Sequence, residues 1–78
     1  MKNTIKIERA ISELTQEDLA KKVSVSRQTI NSMEANKYVP STVLALKIAK
    51  VFQKPVEEIF ILEENDWSFS SWLYVPIT

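Results

Sequence analysis

Residues 14 to 31 leave this chain few folds to choose from. They read Leu14-Thr15-Gln16-Glu17-Asp18-Leu19-Ala20-Lys21-Lys22-Val23-Ser24-Val25-Ser26-Arg27-Gln28-Thr29-Ile30-Asn31, two short amphipathic helices with room for only a three-residue turn between them. Thr15 is a good N-cap, and Leu19, Ala20 and Val23 fall at helical spacing behind it. Asp18 places a negative charge in the first turn, where the helix dipole favours it. Ser26 restarts the chain as a second N-cap. From there Ile30 and Met33 face inward, while Arg27, Gln28, Thr29 and Asn31 face outward near the start of the helix. A short helix, a tight turn and a second helix with a polar leading face form the layout of a helix-turn-helix, whose second helix can enter a major groove.

A wider set of residues carries a resemblance. Arg9, Thr15-Gln16, Leu19-Ala20, Val25-Ser26-Arg27, Ile30, Glu34, Asn36-Lys37, Pro40-Ser41, Ile48-Ala49, Phe52 and Ile59-Phe60 match the recurring pattern of one family. From residue 4 to about 62 the chain resembles the Cro and phage-repressor class of helix-turn-helix regulators, the Xre family, and within it the short stand-alone members. The resemblance implies an all-α fold: a five-helix Cro/repressor-like domain, followed by a short C-terminal β-strand or an extended tail. It also exposes a departure, because the family usually has glycine in the turn and after the second helix, where this chain has Ser24 and Asn36. The chain contains no glycine at all. Such sites commonly need a left-handed backbone, which Asn tolerates better than Ser. Either Ser24 adopts it, or the turn closes without a positive φ there.

Hydrophobic spacing along the chain predicts helices at about 4 to 13, 15 to 22, 26 to 35, 41 to 53 and 56 to 61. In the first, Ile7, Ile11 and Leu14 recur at i, i+4 and i+7 as an apolar stripe. In the fourth, Ser41 caps, and Leu44, Ala45, Ile48, Ala49 and Phe52 form a broad inner face. Pro55 suits the first turn of the last helix, whose Val56, Ile59 and Phe60 close the core.

Residues 1–62 therefore read as a helix-turn-helix domain and residues 63–78 as an aromatic C-terminal extension. Alternation in the extension puts Trp67, Phe69, Leu73 and Val75 on one side and Ser68, Ser70, Trp72 and Tyr74 on the other, as in a half-buried strand. With the preceding domain expected to be wholly helical, that strand pairs with the same segment of a second copy or folds back onto the core. Trp67, Phe69, Trp72, Leu73 and Tyr74 are the candidate dimer interface.

Composition narrows the function. A single domain of 78 residues buries only about 60% of its unfolded surface, so self-association would help it. The chain has neither Cys nor His, which removes the usual nucleophiles, general bases and transition-metal ligands, and it lacks a Gly-rich phosphate loop. Catalytic, cofactor-binding and metal sites are expected to be none. No apolar run nears the roughly 20 residues that span a bilayer, so a cytoplasmic protein with no membrane partner is expected. Net charge is zero, yet all ten Lys and Arg lie between Lys2 and Lys54 among only five acids. The other five acids, Glu57, Glu58, Glu63, Glu64 and Asp66, follow. Such asymmetry suggests a basic face with the acidic segment turned away.

Chemistry makes Arg27 and Gln28 the best base readers. A guanidinium bonds guanine O6 and N7 together, and a glutamine amide bonds adenine N6 and N7, though either can instead hold phosphate or solvate the helix. Thr29 offers a hydroxyl and a methyl, and Asn31 lies one turn after Arg27. Gln16 begins the first helix of the pair and Ser26 caps the second, and both can touch phosphate. The resemblance assigns Gln16 that role, lays Asn36, Lys37 and Tyr38 along the DNA backbone, and makes Arg9 and Glu34 an ion pair joining the first and third helices. The partners expected are double-stranded DNA and a second copy of the chain: a homodimeric regulator, better a repressor, on a near-palindromic operator. The alternative is an antitoxin-type interaction module that binds a protein partner through its C-terminal tail as well as its own operon.

Overall fold

The computed structural model describes residues 1–67. Five helices follow a short strand: β1 (Lys2–Asn3), α1 (Ile5–Ile11), α2 (Gln16–Val23), α3 (Arg27–Glu34), α4 (Thr42–Phe52) and α5 (Val56–Ile59). The chain then forms β2 (Phe60–Ile61) and a 3-10 turn, Glu64–Asp66. The fold is all-α with one small sheet. Side chains from every helix meet in a single core, where Ile5, Leu19, Ile30, Met33, Ile48 and Ile59 are fully buried. Each such side chain contributes roughly 1.5–3 kcal/mol of transfer free energy.

Two expectations need correction. The fifth helix stops at Ile59, because Phe60 and Ile61 turn extended and pair antiparallel with β1, Asn3 opposite Phe60 and Lys2 opposite Ile61. Thr4 N donates to Ile59 O at 2.9 Å and extends that pairing toward α1. The helical domain thus has strands of its own, which removes the reason for assigning the C-terminal segment a partner in a second copy by elimination. The alternating segment begins at Trp67, which is half-buried; Phe69, Trp72, Leu73 and Tyr74 lie outside the described residues.

The second correction concerns α1. Ile7 and Ile11 are 61% and 69% exposed, and the buried side chains of this helix are Ile5 and Glu8. The stripe failed because α1 ends at Ile11, leaving Leu14 outside the helix that was to align it, and because two ion pairs fix how the helix is rotated. Glu8 accepts from Lys54 Nζ at 2.6 Å, and Arg9 reaches Glu34. Asn3 helps to aim the helix start: its Oδ1 accepts from Ile5 N at 3.2 Å, while its Nδ2 donates to Met33 O at 2.8 Å.

Helix starts follow the caps. The Thr15 hydroxyl accepts from Asp18 N and the Asp18 carboxylate accepts from Thr15 N, both at 3.0 Å, a reciprocal capping box. Ser26 caps α3 through Thr29 N at 3.1 Å, and Ser41 caps α4 through Leu44 N at 3.2 Å. The helix ends share one solution. Glu13, Ser24, Asn36 and Gln53 all have φ between 54° and 61°. In each case the next residue donates its N–H to the carbonyl five positions back: Leu14 to Arg9, Val25 to Ala20, Lys37 to Ser32 and Lys54 to Ala49, at 2.9–3.1 Å. This is the Schellman closure, usually made with glycine and made here without any. Ser24 therefore does adopt the left-handed backbone.

Candidate nucleic-acid interface

The tight turn at Ser24 sets α2 against α3, with Leu19, Ala20 and Val23 of α2 and Ile30 and Met33 of α3 buried. Burying those faces leaves the opposite one outward, and Arg27, Gln28 and Asn31 are exposed along it. Arg27 and Asn31 stand one turn apart on the same side of α3. Thr29 is half-buried, and its hydroxyl lies 2.9 Å from that of Ser26, whose oxygen also caps the helix. These two hydroxyls serve the helix start first.

Gln16, the first residue of α2, is half-buried against α3. Its Nε2 donates to Glu34 Oε1 at 3.1 Å and to Asn31 Oδ1 at 3.2 Å, while its Oε1 faces Arg27 Nη1 at 3.5 Å. Glu34 also holds Arg9, accepting from Nε at 2.6 Å and from Nη2 at 3.0 Å, and Arg9 Nη1 donates to Leu14 O at 2.9 Å. The Glu34 side chain is only 7% exposed. Burial pushes its pKa up, but the Arg9 guanidinium, the Gln16 amide and the charges of Arg9 and Lys6 outweigh burial and hold it below the usual carboxylate range. The hydrogen bond to Glu34 raises the already high pKa of Arg9.

After α3 the chain turns at Asn36, whose Oδ1 accepts from Asn3 Nδ2 at 3.3 Å, and presents Lys37 and Tyr38 on an exposed loop. The structure thus brings Gln16, Arg27 and Asn31 together in one polar group, with Gln28 exposed beside Arg27. It puts Asn36, Lys37 and Tyr38 directly beyond the C-terminal end of α3. Two residues were not singled out by sequence for what they do here: Asn3, which ties β1 to the end of α3, and Glu34, which orients Gln16 as well as pairing with Arg9. Contacts across 33 and 18 residues leave no spacing signal.

Two open grooves lie on α4, one of about 550 Å³ lined by Lys22, Val43, Leu46, Lys47, Lys50 and Val51, and neither takes a residue from α3. Among the described residues no cluster of carboxylates suited to a metal ion occurs, and no helix is long and apolar enough to cross a membrane.

A second helix packed on the first across a tight turn, with exposed Arg, Gln and Asn at its leading end, has the geometry of a helix-turn-helix domain. Residues 5–59 match the family model described as helix-turn-helix. The chain belongs to this family, in its Xre type, the class of DNA-binding transcription regulators. It is 58% identical over 66 residues to an uncharacterized HTH-type transcriptional regulator of Methanocaldococcus jannaschii, covering 85% of this chain and all of that protein. To an uncharacterized HTH-type transcriptional regulator of Archaeoglobus fulgidus it is 50% identical, covering 85% of this chain and 93% of the relative. To the uncharacterized HTH-type transcriptional regulator YgzD of Bacillus subtilis it is 47% identical, covering 85% of this chain and 100% of the relative.

Proposed function

We propose that the protein is a transcriptional repressor that binds a near-palindromic operator as a homodimer, each protomer laying α3 in the major groove of one half-site. The observation that carries this reading is the exposed leading face of α3, Arg27, Gln28 and Asn31, braced from behind by Gln16 of α2. Arg27 and Gln28 read base edges, with Thr29 and Asn31 beside them. Gln16, Ser26, Asn36, Lys37 and Tyr38 meet the phosphate backbone on either side of α3. One recognition helix reaches only three or four bases, so two protomers about 34 Å apart pool their contacts and match the symmetry of the site. Self-association is assigned to the aromatic segment 63–78, whose Trp67, Phe69, Trp72, Leu73 and Tyr74 have the composition of a buried interface.

Fluorescence anisotropy with operator-like and scrambled duplexes at two salt concentrations tests the reading, for the wild type and for the double variant Arg27→Ala, Gln28→Ala. Circular dichroism checks the fold, and sedimentation gives the oligomeric state. The expected result is a dimer that binds with sequence preference and loses that preference in the folded double variant. A wild-type chain that binds no duplex, including the region upstream of its own gene, overturns it.

A further inference from the structure

The hydrogen bonds behind α3 run in only one direction. An ionised carboxylate can accept but not donate, so Glu34 Oε1 forces Gln16 to present its NH2 group. That amide nitrogen also reaches Asn31 at 3.2 Å, and two NH2 groups cannot bond each other, so Asn31 must turn its carbonyl oxygen inward. The Asn31 NH2 is then directed outward. By the same logic Gln16 has only its oxygen left to offer Arg27, a group that can only donate. Arg9, bidentate on Glu34, locks the origin of the chain.

We propose that Glu34, acting through Gln16, makes Asn31 an obligate hydrogen-bond donor, so that the Arg27–Asn31 face of α3 selects guanine edges over adenine. The inference rests on the operator-binding reading above and names the bases it would favour. Guanine shows two acceptors, O6 and N7, in the major groove; adenine pairs its N7 acceptor with an N6 donor that an outward amide NH2 would oppose. A freely rotating asparagine takes adenine well, because it offers one donor and one acceptor together. Held by Gln16, Asn31 keeps its oxygen turned inward toward α2, so that its NH2 is the group left to meet a base. Glu34 and Gln16 are therefore positioning residues for specificity, and Gln16 is more than a backbone contact.

The test is selection of duplexes from a randomised half-site, followed by anisotropy titrations with guanine or adenine at each selected position. Wild type, Gln16→Leu and Asn31→Ala are compared as full-length chains, and thermal unfolding confirms that each is folded. Gln16→Leu cuts the relay while sparing the Arg9–Glu34 pair. The expected result is one position at which wild type prefers guanine by about tenfold, the scale of a good base contact. There the preference shrinks to about twofold or less, or turns to adenine, in Gln16→Leu, and disappears in Asn31→Ala, while other positions keep theirs. Equal weakening of Gln16→Leu on every duplex overturns the proposal, since it makes Gln16 a phosphate contact alone. An unchanged base preference in Asn31→Ala also overturns it, by assigning the Asn31 donor to phosphate oxygen or to nothing. In either case the operator-binding reading survives, and only a wild-type chain without sequence preference removes both.

Discussion

At the scale of single residues the charged groups divide into those that hold the fold and those that are free to meet a ligand. Arg9 and Glu34 are largely buried, at 15% and 7% side-chain exposure, and each satisfies the other. Removing one partner leaves an uncompensated charge, so Arg9→Ala is expected to lose about 3–5 kcal/mol of stability, measured by urea unfolding, before any question of DNA binding arises. Arg27, exposed and touching only Gln16 Oε1 at 3.5 Å, has no such role, and its removal should leave the unfolding midpoint nearly unchanged. Three carboxylates, Asp18, Glu34 and Asp66, are held below their ordinary pKa in the fold and give it an acid limit. The backbone N–H of Thr15, and then its hydroxyl, hold Asp18 below its ordinary pKa, and Glu34 is held low despite burial. Groups whose pKa falls on folding contribute stability above their unfolded values, near pH 4, and lose it as pH drops through the folded ones. Stability should therefore be flat from about pH 7 to 5 and fall below about pH 4. Asp18→Asn should flatten part of that fall in thermal melts across the same range.

At the scale of elements the helices are bounded by side-chain chemistry at their starts and by backbone strain at their ends. Thr15, Ser26 and Ser41 accept hydrogen bonds from the third helical N–H, as their residue types suggest. The C-terminal ends depend instead on four non-glycine residues in the left-handed region. Ser24 matters most, because its φ of 61° sets the angle between α2 and α3 and so the presentation of α3 to a groove. A β-carbon at such a site costs roughly 1 kcal/mol. Ser24→Gly is expected to raise stability by up to about 1 kcal/mol in chemical denaturation with no change in base preference. A loss of stability on that substitution would show the turn to be unstrained.

At the scale of the whole molecule the charge distribution decides how the domain meets a polyanion. Ten cations and five acids occupy residues 1–56, and Glu57, Glu58, Glu63, Glu64 and Asp66 follow. Of that acidic stretch, Glu63 and Asp66 each lie 3.0 Å from the amino group of Met1, which ties the 3-10 turn to the strand end of the domain. A protein with no net charge still carries exposed cations at and just beyond α3, Arg27 and Lys37, and its affinity for DNA should fall with salt as counterions are released. Lys37, exposed on the loop beyond α3, is expected to contribute one phosphate contact. Lys37→Ala should weaken binding about equally on all duplexes and reduce the slope of log affinity against log salt by about 1, read from titrations at several salt concentrations.

What could be read from the sequence was whatever depends on neighbours within a turn or two of chain. The caps at Thr15, Ser26 and Ser41, the inward Ile30 and Met33 and the outward Arg27, Gln28 and Asn31 are of this kind, since each follows from helical periodicity and the hydrogen-bonding reach of one side chain. The tertiary structure decided the rest. Only packing showed that α1 turns Ile5 and Glu8 inward and leaves Ile7 and Ile11 exposed, because Lys54 and Glu34, tens of residues away, anchor Glu8 and Arg9. Only packing stopped the last helix at Ile59, because an extended Phe60 gains the strand pairing that Asn3 offers. The polarity of the Glu34, Gln16 and Asn31 chain is likewise invisible in the sequence, since which end of an amide faces outward depends on the group that meets its other end.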